Sequence, residues 1–346
     1  MEIISMTRCV LIKHGLTLKS GSTYGTCCYN PTDPASYTSD KIDSINCRAC
    51  IEQEANNIFS YRQGSNQKYG LDHPHQLPIV LDLTPNSNCD LACKICGPTS
   101  SSTWAKLRNI KIDSTYNTNV LDFKNAFNKV DLSQVQEINF SGGEPFLNDN
   151  IKRYIDQLAD RCNFSKITLR FSTNGSHQLN SKLHDFFLQF ALVRIRFSLD
   201  DINKGHEYQR WPSRWTQWES NWQYFLASMP HTVMPAINRT ISLLNINRLH
   251  LLDEWHQKYQ INKFGNPIEL IDHYAFGQYS LYNLPAKLKE HISENRDVYS
   301  RAWGAVKNRA TITDVTNLKK IIAEHDQLHN TSLRDFNPDL YRIIFL

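Results

Sequence analysis

The chain has no apolar run long enough to cross a membrane. Its nearest approach, Phe186 to Phe197, is broken by Gln189, Arg194 and Arg196, and no stretch reaches the ~18 apolar residues a spanning helix needs. The first fifteen residues carry Glu2, Arg8 and Lys13 and lack an apolar region ending in a small-residue cleavage site, so no secretory leader is expected. There is no basic run of five or more and no acidic tail. The net charge of +4, from 38 basic and 34 acidic residues, is too small to argue for a nucleic-acid partner. No short-period repeat and no low-complexity tract is present. These absences point to a globular protein of the cytoplasm.

What the chain does have is cysteine, unevenly spread. Nine cysteines without a leader suggest metal ligation in a reducing compartment rather than disulfides. Cys9, Cys27, Cys28, Cys47, Cys50, Cys89, Cys93 and Cys96 all precede residue 97, and only Cys162 follows, as a buried thiol. Residues 1–76 are rich in Ser, Thr, Asn, Gly and Cys and show little periodicity. From Leu77 onward, strands and helices alternate. Strands are expected near "LPIVLDLTP", Val135–Ser141, Lys166–Thr173, Leu192–Asp200, Ala236–Leu244 and Asn266–His273, each followed by a helical pattern. The last 70 residues read as helical. This alternation predicts an α/β fold with a parallel sheet and right-handed crossovers, either an open sheet or a barrel.

In "NCDLACKICGP", Cys89, Cys93 and Cys96 stand as C-x3-C-x2-C. Thiolates bind soft metals, and a closed zinc site or a four-iron cluster takes four ligands. Three thiolates therefore leave one coordination position open. The same spacing, i, i+4, i+7, also fits one helix face packed as small hydrophobes. After the second strand comes "FSGGEPFL". Gly142 and Gly143 allow close backbone approach, Glu144 offers a carboxylate, and Pro145 follows. In parallel α/β proteins ligands gather at the carboxyl ends of strands, which is where both motifs fall.

Together these motifs resemble the radical S-adenosylmethionine (SAM) superfamily. The resemblance runs over 77–275 and implies a partial (β/α)6 barrel. It also implies a [4Fe-4S] cluster on Cys89, Cys93 and Cys96 whose open iron chelates SAM. Gly142, Gly143, Glu144 and Pro145 would hold the methionine end. Thr173 and Asn174 in "STNG" would be further SAM contacts, as would Ser198 and Asp200 in "SLDD". Turn and cap chemistry favours the same residue types at strand ends. Cys9, Cys27 or Cys28, Cys47 and Cys50 resemble the N-terminal set of radical SAM proteins with a twitch-type auxiliary-cluster domain. So do the run from Glu52 to Arg62, "EYQR" at Glu207, "RTISLLNINRL" at Arg239 and "LPAKLKEHI" at Leu284. That implies a second [4Fe-4S] cluster on Cys9, Cys27, Cys47 and Cys50, with a structural zinc site as the alternative. The implied division is 1–76 auxiliary region, 77–275 barrel, 276–346 helical extension.

The implied activity is reductive cleavage of SAM and hydrogen abstraction from a peptide, with carbohydrate or nucleotide as other substrate classes. The implied partner is a flavodoxin or ferredoxin-type electron donor. The rival from another class is a zinc-stapled, non-catalytic binding module, for example for RNA. Finally, Trp211, Trp215, Trp218 and Trp222 recur at helical spacing. They read as the core stripe of one helix with Trp211 outside it, or as stacking platforms interleaved with Arg210 and Arg214.

Overall fold

The computed structural model describes residues 8–19, 23–25, 27, 47–55, 59–72, 78–111, 127, 130–147, 150–179 and 182–346. Cys28 lies outside them, so the choice between Cys27 and Cys28 is open there. The chain forms two compact units. The first comprises Met1–Ser87, Asp113–Phe171 and Asp185–Arg194; the second comprises Asn88–Ile112, Ser172–His184 and Ile195–Leu346.

In the first unit the strands are β1 (Gly15–Lys19), β2 (Thr23–Gly25), β3 (Val80–Thr84) and β4 (Glu137–Phe140). The opening residues of β5 (Thr168–Thr173) and β6 (Leu192–Ser198) also belong here. β1 pairs antiparallel with β2 and parallel with β3, with Leu16 opposite Leu81. β3 and β4 are parallel with Leu81 opposite Ile138, and β4 and β5 with Ile138 opposite Leu169. The centre of β3 is buried on both faces, the mark of a strand covered on two sides. β1 and β2 have no counterpart among the six strands expected from sequence. β1 alternates apolar and polar residues only over Leu16–Lys19, too short a run to stand out, and it pairs along the edge that β3 offers. The helix Tyr61–Tyr69 starts on a capping box, in which Ser60 accepts from the Gln63 amide and Gln63 accepts from the Ser60 amide.

The second unit holds β7 (Val233–Ile241), β8 (Glu269–Tyr274) and the ends of β5 and β6. β7 and β8 are parallel, with Ile237 opposite Leu270. The chain is thus an α/β protein with seven parallel strands and one antiparallel edge strand, in an open sheet. All six expected strands are present, each within a few residues of its expected place. Trp215–Ser228 is one helix, with Trp211 outside it. Trp218 and Trp222 are fully buried and Phe197 packs 5.0 Å from Trp222, so the stripe is core rather than a stacking platform. The C-terminal helices Ala286–Glu294, Thr316–His329 and Pro338–Phe345 bury Leu288, Ile322, Leu340 and Ile344 in one cluster with Leu243 and Leu244. Among the described residues no helix is long and apolar enough to cross a membrane.

Three buried histidines make this unit sensitive to acid. Burial, then the Arg210 charge, holds the pKa of His206 down to about 3. Burial, then Lys94, holds His325 at about 4 and His329 at about 3. All three are neutral when folded but titrate near 6.5 when unfolded. The unfolded chain therefore binds more protons below 6.5. Stability is complete above that pH and falls as pH drops toward 3. The expected result is a lower melting temperature at pH 5 than at pH 7.5. In a His206→Gln chain the pH slope of the unfolding free energy in that range should shrink by about one proton. An unchanged slope would count against a neutral His206.

Candidate active site

The cysteine loop belongs to the second unit and takes no helix over 88–97, which rules out a packed helix face for Cys89, Cys93 and Cys96. Its backbone is pinned from two sides. Thr103 Oγ1 donates to the Cys89 carbonyl at 2.7 Å, and Trp104 Nε1 donates to that of Cys93 at 2.8 Å. On the other side the Ala92 amide donates to the Trp211 carbonyl at 2.7 Å and the Lys94 amide to that of Gln209 at 2.8 Å. Lys94 itself is buried, 3.0 Å from Asp326 and 4.2 Å above the Tyr208 ring.

With the backbone committed, the sulfurs face polar donors. Arg210 Nη1 lies 3.9 Å from Cys93 Sγ, and Asn174 Nδ2 lies 3.8 Å from Cys89 Sγ. Cys93 and Cys96 share a hydrogen bond. That bond and burial raise the Cys93 pKa; the same bond, with Arg210 in support, lowers that of Cys96. Arg210 is buried. Burial alone would disfavour its charge, but Asp200 at 2.8 Å and then the Cys93 sulfur more than offset this, and its pKa is raised. Around Cys89, Asp90 accepts from Asn174 Nδ2 at 2.8 Å and from Ser176 Oγ at 2.6 Å, with His177 at 3.3 Å. Gly175 has φ +73, and an added Cβ would lie 2.4 Å from Trp218 Nε1, which donates to the Asn174 carbonyl at 2.9 Å. Trp218 thus fixes the loop that aims Asn174.

Among the described residues no three His, Cys, Asp or Glu side chains already surround a common point. The fit to a cluster is therefore one of donor chemistry. Three thiols on a fixed loop, met by a guanidinium and an amide N–H, suit sulfurs that carry negative charge and need outer hydrogen bonds.

The Gly142–Pro145 turn belongs to the first unit. It leaves β4 where the Ser141 amide donates to the Leu83 carbonyl at 2.9 Å, with the Thr84 and Ser141 hydroxyls 2.9 Å apart. Gly142 has φ +79, and a Cβ there would stand 2.3 Å from Thr84 Cγ2. Glu144 is buried and its Oε1 accepts the Phe146 amide at 3.0 Å. Gly142→Ala should cost about 1–3 kcal/mol in a denaturant titration, because it adds both a clash and left-handed backbone strain. Thr84→Ser, which removes Cγ2 but keeps the hydroxyl, should restore only part of this. Complete rescue would show that the strain is negligible.

The N-terminal cysteines also lie in the first unit. Cys9 and Cys50 are buried, while Cys27 and Cys47 are half-buried and packed on the cluster formed by Cys9, Val10 and Ile79. Burial pushes Cys9 up to about 12, with the Cys50 and Cys47 sulfurs adding to the rise. Arg62 organises the region. It forms a buried ion pair with Glu54 and donates to the Arg8 carbonyl at 2.8 Å. Asn66 Oδ1 accepts the Val10 amide at 2.8 Å. The segment around Cys9 and the helix carrying Cys50 are thereby tied to one anchor. Thiols from separate segments are the donor type that soft metals and iron–sulfur clusters take, so here too the fit is one of donor chemistry.

Of the strand-end residues, Thr173 is buried and its Oγ1 accepts the Gly175 amide at 3.1 Å. Ser198 is half-buried at the end of β6. Asp200 is turned inward, with Oδ1 accepting the Thr240 amide at 2.7 Å and Oδ2 paired with Arg210. Arg210 was not singled out as a site residue from sequence, although it ends the "EYQR" run. Its role depends on a neighbour 117 positions away.

Residues 84–209 match the family model described as a 4Fe-4S single cluster domain, and the matched span carries Cys89, Cys93, Cys96 and Gly142–Pro145. No curated protein matches the sequence. Among solved structures, the chain is similar to His-tagged anSMEcpe with bound AdoMet, at 16% identity and TM-score 0.43 over 68% of this chain and 61% of that one. It is also similar to Streptococcus suis SuiB bound to S-adenosylmethionine, at 14% identity and TM-score 0.40 over 76% of this chain and 53% of that one. The chain thus spans less than two thirds of the length of either of these proteins. Likenesses this distant do not bear on its chemistry.

Proposed function

We propose that this protein is a radical SAM enzyme acting on a peptide or protein substrate. The observation that carries the reading is the pair of donors, Arg210 and Asn174, on two sulfurs of a C-x3-C-x2-C loop. Cys89, Cys93 and Cys96 would hold the cluster and leave one iron open. Gly142, Gly143, Glu144 and Pro145 would take the methionine end of SAM, and Thr173, Asn174 and Ser198 its nucleoside end. Asp200 serves by keeping Arg210 charged and in place. A cluster held by Cys89, Cys93 and Cys96 would supply the electron for reductive cleavage of SAM, the chemistry from which hydrogen abstraction would follow. The electron would come from a flavodoxin or ferredoxin-type donor.

Cys9, Cys27, Cys47 and Cys50 would hold a second [4Fe-4S] cluster. The peptide class follows the resemblance of that cysteine set, which also accompanies carbohydrate and nucleotide chemistry. The reconstituted chain, reduced with dithionite and given SAM, should form 5′-deoxyadenosine, and no yield above a Cys93→Ala control overturns the reading. Iron and sulfide counts near eight per chain support two clusters, whereas about four irons with one zinc would assign the N-terminal set to zinc.

A further inference from the structure

The N-terminal cysteines stand on separate segments, and one residue reaches both of the buried ones. Arg62 Nε donates to Glu54 Oε1 at 3.0 Å and its Nη2 to Glu54 Oε2, and the two side chains are 2% and 8% exposed. Glu54 lies one helical turn beyond Cys50, on the helix Arg48–Ala55. Arg62 Nη1 donates to the Arg8 carbonyl at 2.8 Å, one peptide bond from Cys9. The backbone N–H of Arg62 donates to the Cys50 sulfur, and those of Leu11 and Ile12 donate to the Cys9 sulfur. The neighbours of Arg62 repeat the pattern. Ser60 donates its hydroxyl to Glu54, and Asn66 Nδ2 donates to the same Arg8 carbonyl at 2.9 Å. Cys47 comes with Cys50, since its carbonyl accepts the Ile51 amide at 3.1 Å.

Stability alone does not account for the Arg62–Glu54 pair. Taking two opposite charges out of water costs about as much as their attraction returns, and apolar residues of similar volume often serve as well. What the pair supplies is registry, because a guanidinium fork with fixed partners allows one arrangement where apolar contacts allow several. Among the described residues no three metal-ligating side chains already surround a common point, so registry is what a metal needs from this part of the chain. We infer that Arg62, held by Glu54, is the positioning residue of the N-terminal metal site, setting the Cys9 segment against the Cys50 helix and fixing the Cys50 sulfur through its own amide. Outer hydrogen bonds of this kind orient ligands and raise their affinity for metal.

The inference rests on the reading of Cys9, Cys27, Cys47 and Cys50 as one metal site. Cobalt(II) tests it, because thiolates bind this ion whether the resident centre is a cluster or zinc. The reference is the metal-free full chain carrying Cys93→Ala, which breaks up the loop set. It is titrated with cobalt(II) while the thiolate-to-cobalt charge-transfer band is followed. Two further variants are made in it. Arg62→Lys keeps a cation beside Glu54 but cannot fork to the Arg8 carbonyl. Arg62→Leu with Glu54→Leu strands no charge. Each should bind cobalt about 10–100-fold more weakly than the reference. A pair with a structural role alone would lower the melting temperature of the metal-free chain and leave the affinity of the folded chain unchanged. Reference-level affinity in either variant therefore overturns the inference. Absence of the band in the reference overturns it together with the reading of the site.

Discussion

Reconstituted without oxygen, the Cys93→Ala chain is expected to keep about four of the parent's irons, half its complement, and to form no 5′-deoxyadenosine above background. Cys93 is the most deeply buried of the three loop cysteines and the one that Arg210 faces. Its carbonyl is held by Trp104, so alanine leaves the loop backbone where it is and removes only the sulfur. The retained irons would report the N-terminal cysteines, which belong to the other compact unit. The reciprocal variant, Cys50→Ala, should lose the other half of the iron. Its effect on SAM cleavage then separates a resident second cluster from a purely structural site. A Cys93→Ala chain with the parent's iron and the parent's yield would refute the assignment of the loop.

Arg210→Leu should have the largest effect on stability. The guanidinium and the Asp200 carboxylate are both buried, and Asp200 Oδ1 accepts the Thr240 amide while Oδ2 faces Arg210. Removing the cation strands a carboxylate in the interior, a loss of about 3–5 kcal/mol. The double variant Arg210→Leu with Asp200→Asn should recover a large part of this, because the stranded charge is gone. A urea titration of the parent, the two single variants and the double variant measures the coupling directly. Agreement of Arg210→Leu with the parent to within ~0.5 kcal/mol would show that the pair carries little. Arg210 also supplies the donor to Cys93, so the loaded double variant should show a lower reduction potential than the parent even where its stability is regained.

The two motifs were legible in the chain because each is local. C-x3-C-x2-C and Gly-Gly-Glu-Pro place their chemistry within eight and four consecutive residues. The six central strands were legible because buried parallel strands are apolar runs bounded by turn residues. β1 and β2 were not, since they are short and lie in a stretch without periodicity. The Trp stripe showed its helix but left its use open until Trp218 and Trp222 proved buried. Asp200 shows the limit most clearly. Its position after β6 is readable, yet its carboxylate turns to Arg210 and Thr240, a choice made by β7 and by the segment after the helix Lys204–Gln209.

The order of residues was enough to establish the α/β class, the three-thiolate loop and the glycine turn, because each depends on neighbours a few positions apart. Folding in three dimensions established which donors meet the sulfurs and how Lys94 comes to rest on Asp326. Those facts join residues from tens to more than two hundred positions apart. Charge and hydrogen bonding act through space, over a few ångströms, and leave no periodic trace along the chain.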